Sequence, residues 1–136
     1  MKTLNKLITI LFITFLSSPT WSETLTIDDL VERNDLYYKK FINVPFTGEV
    51  SGLKNGKFKD GKKDGEWLSY HENGQLWYKG NYKDGKEDGL WEWYSDGRLK
   101  SKGNVKDGER DGLWEFFDRD GSLWLTQTFK NGELQE

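Results

Sequence analysis

One property constrains this chain more than any other: it repeats itself. Gly61, Gly85 and Gly108 follow one another at steps of 24 and 23 residues, and Gly65, Gly89 and Gly112 keep the same steps. Trp67, Trp91 and Trp114 share that register, while Gly74, Gly97 and Gly121 recur at 23 and 24. Intervals inside the unit also hold. Four residues separate the Lys-Asp-Gly glycine from the next glycine, and eleven separate the turn glycine from the one that opens the following unit. Several registers agreeing at once mark a repeat array, in which each unit buries its apolar side against its neighbours.

Each unit reads as two strands and two turns. The first strands are residues 66–71, 90–95 and 113–118, and the second are 75–83, 98–106 and 122–130. Between them lie Glu72-Asn73-Gly74, Asp96-Gly97 and Arg119-Asp120-Gly121, residue types that tolerate a left-handed backbone. A loop such as DGKEDG returns the chain to the next unit. The expected fold is all-β: an elongated antiparallel meander of β-hairpin repeats, forming a twisted single-layer sheet with an N-terminal cap.

Alternation along the strands assigns the two faces. Trp67, Trp91 and Trp114 share one face with Trp93 and Phe116. The second strands contribute Leu76, Leu99 and Leu123, then Tyr78, Ser101 and Leu125, then Tyr82, Val105 and Phe129, with Phe58 joining from an earlier half-unit. Gly80 and Gly103 lack side chains on this face, so the repeated tryptophans are expected to lie over them. Tyr70, Tyr94 and Phe117 align on the opposite face, where Trp77 and Trp124 are also expected to point, flanked by Lys79, Lys100 and Lys102. An open aromatic row of this kind is the candidate binding face for protein, peptide or glycan.

The ends depart from the period. Residues 1–22 have Lys2 and Lys6, an apolar run from Leu7 to Leu16, and a short tail with Thr20 and Ser22 before Glu23, the layout of a cleaved signal peptide. Ten helical residues reach only about 15 Å, half of a bilayer core. The mature product is therefore expected to be periplasmic or secreted. Residues 23–55 read as a cap and degenerate first unit: Thr24–Glu32 as a short helix or edge strand, then strands at Leu36-Tyr37-Tyr38 and Pro45–Val50. Hairpin repeats occupy residues 56–136, closing with the turn Lys130-Asn131-Gly132-Glu133.

Composition narrows the function classes. The chain has no cysteine, which removes thiol catalysis, Cys-ligated zinc and disulfides. Loss of residues 1–22 takes two lysines and no acids, moving the net charge from −3 to −5. That balance disfavours nucleic acid and anionic membranes as partners. His71, the one histidine, has Ser95 and Asp118 as its equivalents and reads as a surface residue. Asp84–Gly89 and Asp118–Gly121 look like fragments of calcium loops but lack alternating oxygen ligands and a closing glutamate. Glu92 and Glu115 recur because the unit recurs, with Leu68 in the same place one unit earlier. No catalytic residues, metal ligands or cofactor site are expected.

The stretch DGKKDGEWLSYHENGQLWYKGNYKDGKEDGLWEWYSDG resembles the MORN-variant repeat: a Gly-Lys-x-x-Gly loop, a Trp, a Tyr, an Asn/Asp-Gly turn, a Leu, and a Gly before an aromatic. Residues 56–134 follow that form. The segment LVERNDLYYKKFINVPFTGEVSG is similar to the lead-in of secreted members, within the group termed YwqK-type antitoxin-like. The resemblance implies a non-catalytic hairpin array that mediates interactions, here an exported module for another protein or an extended polymer. Its alternatives are an antitoxin-like neutraliser of an exported toxin, or a peripheral membrane or glycan binder. Two departures stand out: the one-residue shortening at Ser95-Asp96-Gly97, and Thr126-Gln127-Thr128 where Lys-Gly-Asn stands twice before.

Overall fold

A computed structural model describes residues 24–136, and the expected signal peptide at 1–22 lies outside the described residues. A single 3-10 turn, Ile27–Asp29, leads into β1 (Leu30–Arg33) and β2 (Leu36–Lys39), which form a small two-stranded sheet. All other strands belong to one antiparallel sheet: β3 (Gly48–Val50), β4 (Lys54–Lys59), β5 (Lys62–Tyr70), β6 (Leu76–Lys83), β7 (Lys86–Glu87), β8 (Gly89–Ser95), β9 (Arg98–Lys106), β10 (Glu109–Phe117), β11 (Leu123–Lys130) and β12 (Glu133–Leu134). Neighbours in space are neighbours in sequence throughout, with β7 set beside β6 off the main path. This is the expected meander of hairpins.

The turns differ in kind from the expectation. The Lys-Asp-Gly segments are themselves two-residue hairpin turns, with positive φ at both Asp60 and Gly61, Asp84 and Gly85, and Asp107 and Gly108. Asn131-Gly132 repeats the geometry. Two left-handed residues in succession match the twist of the flanking strands, and Asp-Gly and Asn-Gly tolerate that conformation best. The turns at 72–74 and 119–121 are wider, closed by His71 N–H to the Gln75 carbonyl at 2.8 Å and Asp118 N–H to the Ser122 carbonyl at 3.0 Å. The shortened turn at Asp96-Gly97 becomes a two-residue turn like the others.

The core is a set of indoles lying on bare backbone. Trp67, Trp91 and Trp114 have relative exposures of 1%, 1% and 0%. Their rings cover Gly56, Gly80 and Gly103 so closely that a methyl group on any of the three would enter the ring. Each indole N–H then donates to the carbonyl of the residue after that glycine: Trp67 to Lys57 at 3.2 Å, Trp91 to Asn81 at 3.2 Å, and Trp114 to Asn104 at 3.0 Å. The ring gains apolar contact while its one polar atom stays satisfied. The expected pairing with Gly80 and Gly103 therefore holds, and Gly56 supplies a third cradle.

Rings join these units into a chain. Phe58 meets Trp67 at 5.0 Å, Tyr82 meets Trp67 at 5.9 Å and Trp91 at 5.3 Å, and Trp93 lies 5.5 Å from Trp91 and 5.3 Å from Trp114. Phe129 closes the far end at 6.3 Å from Trp114. At the near end the β1–β2 hairpin and the segment that follows it fold over the sheet, setting Tyr37 at 4.8 Å and Phe46 at 5.7 Å from Phe58. Backbone hydrogen bonds of 2.8 Å from Tyr37 N–H to Gly61 and from Gly61 N–H to Phe46 fasten it there. The segment expected to be a short helix or edge strand is both in succession, a 3-10 turn running into β1.

Gly80→Ala or Gly103→Ala is expected to destabilise the fold by about 1–3 kcal/mol, because neither ring nor backbone can retreat within a packed sheet. Gln127→Gly, at the equivalent position with no ring above it, should cost at most about 1 kcal/mol. Urea unfolding followed by tryptophan fluorescence checks the contrast.

Candidate functional site

Register decides what lies on the face opposite the tryptophans, because residues directly across a ladder share a face. Leu68 pairs with Lys79, Lys79 with Glu92, Glu92 with Lys102, Lys102 with Glu115, and Glu115 with Thr126. This row crosses six strands with alternating charge at its centre. Lys79 meets Glu92 at 2.7 Å and Lys102 meets Glu115 at 3.1 Å. A second row runs beside it: Tyr70 pairs with Leu76, Tyr94 with Leu99, and Phe117 with Leu123.

That second row differs from the expectation in an instructive way. Alternation placed Leu76, Leu99 and Leu123 with the tryptophans. In the structure a one-residue bulge interrupts each second strand, at Trp77, Lys100 and Trp124, and the pairing shifts by one residue there. Residues beyond the bulge change face. The three leucines therefore interleave with Tyr70, Tyr94 and Phe117, while Tyr78, Ser101 and Leu125 stay opposite Ser69, Trp93 and Phe116.

The candidate residues fall into three groups. Tyr70, Tyr94 and Phe117 are half-buried members of the mixed aromatic and leucine row. Lys79 and Lys102 are engaged with glutamates, and the Lys102 ammonium also lies 5.7 Å from the Phe117 ring. Trp77, Lys100 and Trp124 are the exposed bulge residues. Trp77 sets its ring against Tyr78 at 5.1 Å and His71 at 5.4 Å, and so turns toward its own hairpin end. Trp124 is 61% exposed.

The charged row sets the local electrostatics. Burial alone would raise the Glu92 carboxyl, yet hydrogen bonds from Lys79 and from the Tyr94 hydroxyl at 2.8 Å carry it below its ordinary range. Glu92 in turn raises Lys79. Burial, then the same carboxylate, raises Tyr94. Glu92 and Glu115 are thus each held by a lysine in a cross-strand pair rather than set as two free carboxylates. His71 is exposed, and the Asp118 carboxylate accepts from the N–H groups of Asp120 and Ser122 within its own turn at 3.1 and 3.2 Å. No group of three or more His, Cys, Asp or Glu side chains among the described residues is placed to hold a metal ion.

The tryptophan face carries groups that pattern reading missed. Lys63, Glu87 and Arg110 occupy equivalent positions two residues after the turn glycines. Lys63 lies 4.9 Å from the Trp67 ring and 4.8 Å from Tyr82, and Arg110 lies 4.3 Å from Trp114 and 5.1 Å from Phe129. These cations cover the outer indoles. Burial lowers the Lys63 amine and raises the Glu87 carboxyl. Burial followed by Glu32 pushes Tyr37 up to about 12, and burial followed by Glu87 raises Tyr82. Glu32, Tyr37, Lys63, Tyr82 and Glu87 border a cleft of about 620 Å³ between the β1–β2 hairpin and the turn row. The sequence signal for Lys63, Glu87 and Arg110 is the Lys-Asp-Gly register itself, read two residues further on.

Fold and surface together define a β-hairpin repeat protein with a closed aromatic core and one open apolar row. The MORN repeat variant family matches residues 63–84 and 110–131. Each matched segment spans one first strand, its wide turn and its second strand. The unit between them, with the shortened turn at Asp96-Gly97, falls outside both. Among curated proteins none matches. A crystal structure of accessory secretory protein 1, 2 and 3 in Streptococcus pneumoniae is similar at 18% identity and a TM-score of 0.40, over 81% of this chain and 20% of that one. The chain therefore spans a fifth of that neighbour's length.

Stability contributed by the Lys79–Glu92 pair should have a defined pH window. The Glu92 carboxyl is depressed in the fold, so its contribution is full above the unfolded value of about 4.3 and is lost as pH falls through the folded value. Lys79 is raised, so its contribution is full below about 10.4 and is lost as pH rises through its folded value. Glu92→Gln should therefore cost on the order of 0.5–1 kcal/mol at pH 7, discounted for the partly exposed lysine. At pH 3 the difference from the parent should shrink, as read by urea midpoints at the two pH values.

Proposed function

We propose that this chain is a non-catalytic, exported interaction module that engages another protein or an extended polymer through the sheet face opposite its tryptophans. The observation that carries the reading is the row Tyr70, Leu76, Tyr94, Leu99, Phe117 and Leu123, which crosses three hairpins without the cover that the β1–β2 hairpin provides on the other face. Rows of aromatic and aliphatic side chains bordered by charge are characteristic of interaction surfaces. The repeat match supports an interaction role. Export rests on the signal-peptide layout of residues 1–22, with residues 23–55 as the cap and 56–136 as the binding array.

Paired charges shape the partner's chemistry. Lys79 and Lys102 are already neutralised by Glu92 and Glu115, so the face attracts neither strongly acidic nor strongly basic polymers. Lys100 stands free of that row on its bulge. An extended partner crossing the strands meets the same chemistry at each hairpin, and contacts at successive units add. No helix among the described residues is long and apolar enough to cross a membrane. An antitoxin-like neutraliser of an exported toxin would use the same face, with the toxin as partner.

Tyr94→Ala combined with Phe117→Ala should abolish capture of partners from the organism's own extracytoplasmic extract. The far-UV spectrum should stay that of the parent, since the tryptophan–glycine core is untouched. Capture that survives in a folded double variant means that the row is structural, and the proposal fails.

A further inference from the structure

The last long strand differs from its counterparts at the positions that matter for an edge. Strands β6, β9 and β11 are equivalent, reading LWYKGNYK, RLKSKGNVK and LWLTQTFK. Lys79 and Lys102 give way to Thr126, and Trp124 stands where β6 has Trp77 and β9 has Lys100. From Ser122 through Phe129 the strand carries no charge. Edge strands of natural sheets usually carry lysine or proline to deter pairing with another chain. Here the two interior strands hold a lysine in mid-strand, and the edge strand has none before Lys130.

The outer side of β11 is open over most of its length. β10 pairs with it from Leu123 to Phe129, but β12 reaches only Phe129 and Lys130. Past that, Gln135 N–H donates to the Thr128 carbonyl at 2.8 Å, and among the described residues no strand lies outside 122–127. By alternation from Thr128, Thr126 directs its backbone N–H and carbonyl outward. Leu123 and Trp124 are 51% and 61% exposed on the same stretch.

We propose that this edge joins two copies of the chain, β11 against β11 in antiparallel register centred near Leu125 and Thr126. Continuation of the array by a further unit is excluded locally, because a tryptophan beside β11 needs a bare glycine and Gln127 stands there. Head-to-tail stacking would need β3, which offers three residues with the charged pair Glu49–Lys57. A second β11 brings neither obstacle. Like charges do not meet across the two-fold axis, β-branched Thr126 packs against a short uncharged stretch, and the exposed Leu123 and Trp124 gain cover. A two-fold pairing also closes, so it yields a dimer rather than a fibre.

Protein spanning residues 24–136, which contains every packed element described above, is expected to sediment as a dimer at about 100 μM. Thr126→Lys restores the lysine of the interior strands opposite Glu115 and so preserves the monomer fold while setting two ammonium groups across the axis. It should raise the dimer dissociation constant at least about tenfold, with far-UV and tryptophan spectra unchanged. Trp124→Lys, which copies Lys100, is the second variant and should act in the same direction. A parent protein that sediments as a monomer at that concentration overturns the proposal. So does a dimer that persists in both folded variants.

Discussion

Everything in this structure depends on an indole lying over a glycine one unit away. A single-layer sheet has no second layer to bury its apolar side, so each unit supplies a slab of aromatic surface and the space to receive the next. Gly56, Gly80 and Gly103 provide that space, and Trp67, Trp91 and Trp114 fill it. The hydrogen bond from each indole to the carbonyl beside the glycine fixes the ring's direction as well as its depth. Interdigitation of this kind makes neighbouring units mutually dependent, which is how a thin array gains cooperativity.

Both ends follow from the same rule. At the start, Gly56 receives Trp67, and the β1–β2 hairpin with the segment after it brings Tyr37 and Phe46 over Phe58, so the first cradle is covered by local structure. At the finish, Gln127 occupies the position of the cradle glycines, and no fourth ring can lie there. The series of cradles therefore ends at Gln127 for a steric reason. Along the outer side of the tryptophans, Lys63 and Arg110 lie on their rings, while Glu87 sits between them against Tyr82. Charge thus covers the aromatic core where backbone cannot.

Much of this is legible in particular residues. The tryptophan–glycine partnership was readable at Gly80 and Gly103, and Gly56 was equally accessible, since it precedes Trp67 by the same eleven residues that separate the other pairs. Turn positions were readable, although the tight turns proved to be Asp60-Gly61 and its equivalents, and the wider ones those at 72–74 and 119–121. The candidate face was legible only in part. Tyr70, Tyr94 and Phe117 follow from strict alternation along first strands that carry no bulge near them. Leu76, Leu99 and Leu123 do not, because the bulges at Trp77, Lys100 and Trp124 reverse the parity of the second strands.

The sequence by itself determined the period, the positions of reversal, the pairing of the repeated indoles with glycines and the position, Gln127, where those glycines cease. All four rest on local preferences or on the absence of a side chain, which one chain segment carries alone. Tertiary structure alone decided which leucines join the open face, which lysine meets which glutamate, and how the cap closes over Phe58. Those outcomes depend on the register between strands. A bulge forms where two paired strands must accommodate each other's length and twist, and neither strand encodes that in its own alternation.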